Sequence, residues 1–229
     1  MIEGFGDVEL PRRELVVDDL GFPASVLYVA LGDSTGVGVG AHDGGYVDRL
    51  FNRMRHARPV SQLINLCQCA AGTEQVLQEQ LPRALEHRPS LWTLGVGIND
   101  ITRMADLDEM VGHFGEILRG LRGHAEAPVV TWNIPCVLHA PGIPPHLRAL
   151  LDAHVAECNE ELQRAAARHP GVMLVDVYEP TRRELALHPE YFSDDGFHPS
   201  DAGYEYCVEL LWPVVRDALM ARTTREAAG

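Results

Sequence analysis

Lysine is absent from this chain, so its 19 basic side chains are all arginine. That absence removes whole mechanisms. A Walker A loop needs its Lys, Schiff-base chemistry needs a primary amine, and a Ser-x-x-Lys hydrolase needs a Lys base. Positive charge is scarce as well: 33 acidic side chains give a formal net charge of -14. Phosphate backbones and anionic membrane surfaces select for clustered positive charge, so neither nucleic acid nor such a surface is an expected partner. No run of residues approaches the ~20 apolar positions of a membrane span. Glu3, Asp7 and Glu9 stand where a secretory signal has a basic patch followed by an apolar run, and a cytoplasmic protein is the expectation.

Cysteine is sparse and odd in number. Cys67, Cys69, Cys136, Cys158 and Cys207 are scattered along the chain, which suits reduced thiols in a core rather than a disulfide framework. Cys67-Gln68-Cys69 is one residue too short for a redox C-x-x-C pair. His42, His139, His146 and His188 have no metal-ligand spacing and read as surface residues, with His139 and His146 placed at the mouth of a pocket by the Pro-rich stretch between them. Gly36, Gly38 and Gly40 lack the third-glycine spacing of a dinucleotide loop. No metal or cofactor is expected.

What is present is a chain of 229 residues, 46% hydrophobic and 23% charged, sufficient for one sizeable core and a single domain over 1–229. Residues 1–24 carry no legible pattern and are read as an N-terminal extension. Short β-branched apolar runs occur at Val26–Leu31, Leu63–Cys67, Leu91–Val96, Val129–Trp132 and Val172–Val175. Between them lie stretches with helical spacing, such as Leu107, Met110, Val111, Phe114, Leu118 and Leu121, or Leu147, Leu150, Leu151, Val155, Cys158 and Leu162. Five strand-then-helix units predict an α/β fold, a three-layer α/β/α sandwich around a parallel sheet, because each parallel crossover needs a connecting element. A last helix is expected over 200–221, bent near Pro213. Residues 139–146 read as a loop on the rim of the site.

In open α/β sheets ligands bind beyond the carboxyl ends of the strands, so polar residues that follow the apolar runs carry the functional signal. The first run leads into Gly32-Asp33-Ser34-Thr35-Gly36, the second into Ala70-Ala71-Gly72-Thr73, the third into Gly97-Ile98-Asn99-Asp100. After the last strand comes Asp195-Gly196-Phe197-His198-Pro199. Acyl transfer needs a nucleophile, a base, a group that orients the base, and donors aimed at an oxyanion. Ser34, His198, Asp195 and Asn99 supply one of each, with the Ser34 N–H beside the Asn99 amide. An imidazole is suited to the base because its ordinary pKa of ~6.5 lies near working pH. Asp33 is read as a loop-supporting carboxylate and Asp194 as a solvated turn residue.

Gly32-Asp33-Ser34, Gly97-Ile98-Asn99-Asp100 and Asp195-Gly196-Phe197-His198-Pro199, in this order and each at a strand end, resemble the first, third and last blocks of the SGNH or GDSL hydrolases, and the resemblance runs from Tyr28 to Tyr204. It implies a flavodoxin-like sandwich with a five-stranded parallel sheet, no metal, and hydrolysis of carboxylic esters through an acyl-enzyme on Ser34, as in an esterase or lipase acting on small-molecule esters. The second block departs from the family pattern, in which an Asn is followed five residues later by a Gly whose N–H completes the oxyanion hole. Five residues after Asn65 this chain has Ala70. Either Ala70 takes that place, which the spacing favours provided its backbone avoids positive φ, or the loop is shifted and Gly72 does. The same residues also suit a carbohydrate O-deacetylase, a thioesterase or an acyltransferase. A non-catalytic binding protein on this fold is the alternative of another class.

Overall fold

The computed structural model describes residues 25–57 and 60–227. The proposed extension over 1–24 lies outside them. Five strands, β1 (Leu27–Gly32), β2 (Gln62–Asn65), β3 (Leu91–Gly95), β4 (Val129–Trp132) and β5 (Val172–Val175), form one parallel sheet in the order β2-β1-β3-β4-β5. Strands β4 and β5 fall where the apolar runs put them. The other three start or stop within two residues of the reading, because the pairing of β1 with both neighbours sets their ends.

The helices follow as α1 (Ser34–Val37), α2 (Tyr46–Ala57), α3 (Thr73–Gln75), α4 (Leu81–Ala84), α5 (Ile98–Thr102), α6 (Leu107–His124), α7 (Pro145–Ala167), α8 (Tyr178–Glu184) and α9 (Asp201–Ala227). A π turn, Val76–Gln80, joins α3 to α4. Its cause is readable: Pro82 has no N–H for the Gln78 carbonyl and its ring crowds that carbonyl, so the turn before it widens. The rim loop is shorter than expected, since Pro144 caps α7 and Pro145 is its first residue. Pro213 stands inside α9. Among the described residues no helix is long and apolar enough to cross a membrane.

Alternation along the strands divides the core into two layers. Val29, Leu31, Trp92, Leu94 and Val129 face α6 and α7, meeting Phe114, Ile117, Leu121, Val155 and Leu162. Tyr28, Ala30, Leu91 and Val130 face α2 and α9, meeting Leu50, Met54, Val208, Leu211 and Val215. The strand order reverses direction between β1 and β3, and this switch point opens a crevice at their carboxyl ends. Ser34 follows β1, and Asn99 lies in α5, which follows β3.

Candidate active site

Gly32 ends β1 against Gly95 of β3. A Cβ on Gly32 would fall 2.3 Å from the Gly95 carbonyl oxygen, so only glycine lets the two strand ends close up. The next residue, Asp33, caps α1: its Oδ1 accepts from the Thr35 N–H at 2.9 Å and from the Thr35 hydroxyl at 2.7 Å. Asp33 is 2% exposed, and this desolvation raises its carboxyl to a pKa of about 6 against the pull of the Thr35 hydrogen bonds and of His198. Its role is the loop support expected of it.

Ser34 therefore begins a helical turn, with its N–H free of any acceptor among the described residues. His198 lies 164 positions along the chain, and its Nε2 stands 2.9 Å from the Ser34 hydroxyl oxygen. The other ring nitrogen, Nδ1, is 2.6 Å from Asp195 Oδ2. Asp195 Oδ1 accepts from the N–H groups of Phe197 and His198, each at 2.8 Å, and from the Ser193 hydroxyl at 2.9 Å. Desolvation raises the Asp195 carboxyl, but the side-chain bond to His198 and these further donors outweigh it and hold the group well below the ordinary carboxylate range. Asp194 is exposed and bonds to none of these groups, so the pairing uses the D-x-x-H register. Arg49 of α2 fixes the helix behind the block through a 2.6 Å ion pair to Asp201, whose carboxylate also accepts from the His42 and Asp43 N–H groups.

The loop after β2 is tied down by α5. Asn99 Nδ2 donates to the Ala71 carbonyl at 3.0 Å, and Asp100 accepts from the Thr73 N–H and hydroxyl. The Gln68 N–H donates to the Gly32 carbonyl at 3.1 Å, which joins this loop to the nucleophile turn. Ala70 does not avoid positive φ. Its φ is +62°, and Arg103 donates to its carbonyl at 2.6 Å. The two oxyanion candidates differ in what their N–H groups already do: that of Gly72 donates to Gln75 Oε1 at 2.9 Å, and that of Ala70 meets no acceptor among the described residues.

Sequence reasoning missed Gln80. Its side chain, fully buried, accepts from the Gly32 N–H and donates to the Gly32 carbonyl, both at 2.8 Å. Both backbone polar groups of Gly32, two residues before the nucleophile, are thereby fixed by a side chain 48 residues away. A cavity of about 130 Å3 opens beside Ser34 and His198, and Ala140 is part of its wall while His139 and His146 are not. Cys69 is exposed, unlike the packed thiols Cys136 and Cys158. Among the described residues no three His, Cys, Asp or Glu side chains gather as a metal site.

Residues 30–206 match the model of the GDSL-like Lipase/Acylhydrolase family. A GDSL-like esterase of Mycobacterium tuberculosis is 28% identical over 222 residues, spanning 94% of this chain and 68% of that protein. Among solved structures, an acetylxylan esterase of Geobacillus stearothermophilus superposes with a TM-score of 0.67 at 16% identity, covering 84% of this chain and 94% of its own. A psychrotrophic esterase of a Pseudoalteromonas species, inhibited by monoethylphosphonate, superposes at 0.64 with 16% identity, over 84% of this chain and 98% of its own.

Proposed function

Because this chain belongs to the GDSL-like lipase/acylhydrolase family, we propose that it hydrolyses carboxylic esters through an acyl-enzyme on Ser34. The observation that carries this reading is the continuous hydrogen-bonded series Asp195–His198–Ser34, at 2.6 and 2.9 Å. His198 Nε2 takes the hydroxyl proton as Ser34 Oγ attacks the ester carbonyl carbon, and the carbonyl π pair moves onto oxygen. The tetrahedral oxyanion lies by the N–H of Ser34, the N–H of Ala70 and the amide of Asn99, whose second N–H is not engaged by Ala71. Collapse breaks the bond to the alkoxy oxygen, which leaves as the alcohol with the proton from His198. Water, deprotonated by the same imidazole, then repeats the sequence on the acyl-enzyme and releases the acid.

Asp195 stays ionised throughout, so it holds the imidazole in the tautomer with hydrogen on Nδ1 and stabilises the imidazolium when it forms. Ala70 is favoured over Gly72 as the third donor because the Gly72 N–H already has Gln75 as its acceptor. The test is turnover of p-nitrophenyl butyrate by the wild-type protein and by Ser34→Ala and His198→Ala. Each substitution is expected to remove at least ~10³-fold of kcat with the fold intact by circular dichroism. Turnover undiminished in Ser34→Ala would remove the acyl-enzyme from the account.

A further inference from the structure

The cavity beside Ser34 continues inward between the carboxyl ends of β3 and β4 and the face of α9. Its floor is Trp132, whose indole lies against Gly95: a Cβ on Gly95 would fall 2.3 Å from the ring. Tyr46 meets that indole edge-on, with centroids 4.7 Å apart, and keeps it in place. On α9, Gly203, Cys207 and Leu211 follow one another at i, i+4 and i+8 and so form one stripe. Gly203 is where the Tyr191 carbonyl packs, 2.1 Å from where a Cβ would stand, whereas Cys207 is small and leaves open the volume that a Leu or Phe at position 207 would fill. Leu185, just after α8, closes the side. Burial pushes the Cys207 thiol up to a pKa of about 11, so it adds no charge to the wall. Trp132 and Cys207 both keep part of their surface exposed, and both line the cavity.

Walls of this composition favour hydrocarbon over water. The volume, about 130 Å3, is close to the ~150 Å3 of an apolar cavity that takes benzene, a molecule of six carbons. We propose that this cavity receives the acyl chain of the substrate, and that the protein prefers esters of linear acids of about six carbons to acetyl esters. The inference rests on Ser34 being the nucleophile: the chain enters the cavity when its carbonyl carbon is bonded to Ser34 Oγ.

The experiment is kcat/KM for p-nitrophenyl esters from acetyl to dodecanoyl, read as ratios to acetyl. Each buried methylene is worth about three- to fourfold, so the hexanoyl ester is expected to exceed the acetyl ester by on the order of a hundredfold, and the gain to stop soon after. Cys207→Phe, which fills the cavity, is expected to lower the hexanoyl-to-acetyl ratio at least tenfold. Leu211→Ala, which lengthens it, is expected to move the maximum to longer chains, and it serves if Cys207→Phe does not fold. A wild-type preference for acetyl, or a chain-length profile that neither variant changes, overturns the acyl-site assignment and leaves the esterase reading standing. Absence of turnover on every ester, together with no phosphonate labelling of Ser34, overturns both.

Discussion

Arg103 donates a 2.6 Å hydrogen bond to the carbonyl of Ala70, the residue whose φ of +62° puts a Cβ in the left-handed region. For an L-residue that conformation costs about 1–2 kcal/mol, and the bond from Arg103 to the carbonyl that follows offsets it by fixing Ala70 in the conformation that leaves its own N–H unpaired. The pair does together what a glycine does alone.

Arg103→Ala should therefore lower kcat by about five- to tenfold with KM nearly unchanged, because the donor matters most when charge develops on the carbonyl oxygen. In an Ala70→Gly background the same substitution should cost less than about twofold, since glycine occupies the left-handed region without help. Steady-state kinetics on the four proteins of the cycle decide it. Equal losses in both backgrounds would show that Arg103 acts on something other than Ala70.

Asp33 gives the stability a pH dependence of known sign. Its folded pKa of about 6 lies above the ordinary carboxylate value near 3.8, so its contribution is fully present below pH ~4 and is lost as pH rises through 6. The loss is on the order of 3 kcal/mol. Asp33→Asn keeps an oxygen to accept from Thr35 and does not titrate. Urea unfolding at pH 4.5 and 7.5 should show the variant losing less stability than the wild type over that interval; parallel curves would contradict the assignment.

The two neighbouring aspartates should behave differently. Asp195 accepts from the His198 ring, and Asp194 has no bond to it. Asp195→Asn should lower kcat by roughly 10²- to 10⁴-fold, no more than His198→Ala does, and the double variant should be far from additive. Asp194→Asn should retain most turnover. A crippled Asp194→Asn beside a near-normal Asp195→Asn would shift the D-x-x-H register by one residue.

How much of this was legible follows from what each feature depends on. The strands and the two long helices α6 and α7 show because their apolar positions repeat at the period of the element, and the residues that end β1 and β3 show because polar, small side chains follow directly. The pairing of His198 with Asp195 rather than Asp194 was legible from spacing, since three residues bring both side chains onto one turn. Gln80 was not, because its partner is a backbone peptide 48 residues away and nothing in Val76-Leu77-Gln78-Glu79-Gln80 reports that approach. The φ of Ala70 was hidden for a related reason: alanine carries no preference for the left-handed region, and the carbonyl of Ala70 is held by Arg103 from α5's end. The cavity leaves a faint trace in the small residue Cys207, but its other walls come from β3, β4 and α8.

The most direct measurement is the peptide mass after reaction with a fluorophosphonate. An activated serine attacks phosphorus, fluoride leaves, and one phosphonyl group remains on oxygen. One adduct per chain is expected, on the peptide that contains Ser34, absent from Ser34→Ala and formed much more slowly by His198→Ala. An adduct on a different residue, or an active protein whose Ser34 stays unmodified, would contradict it.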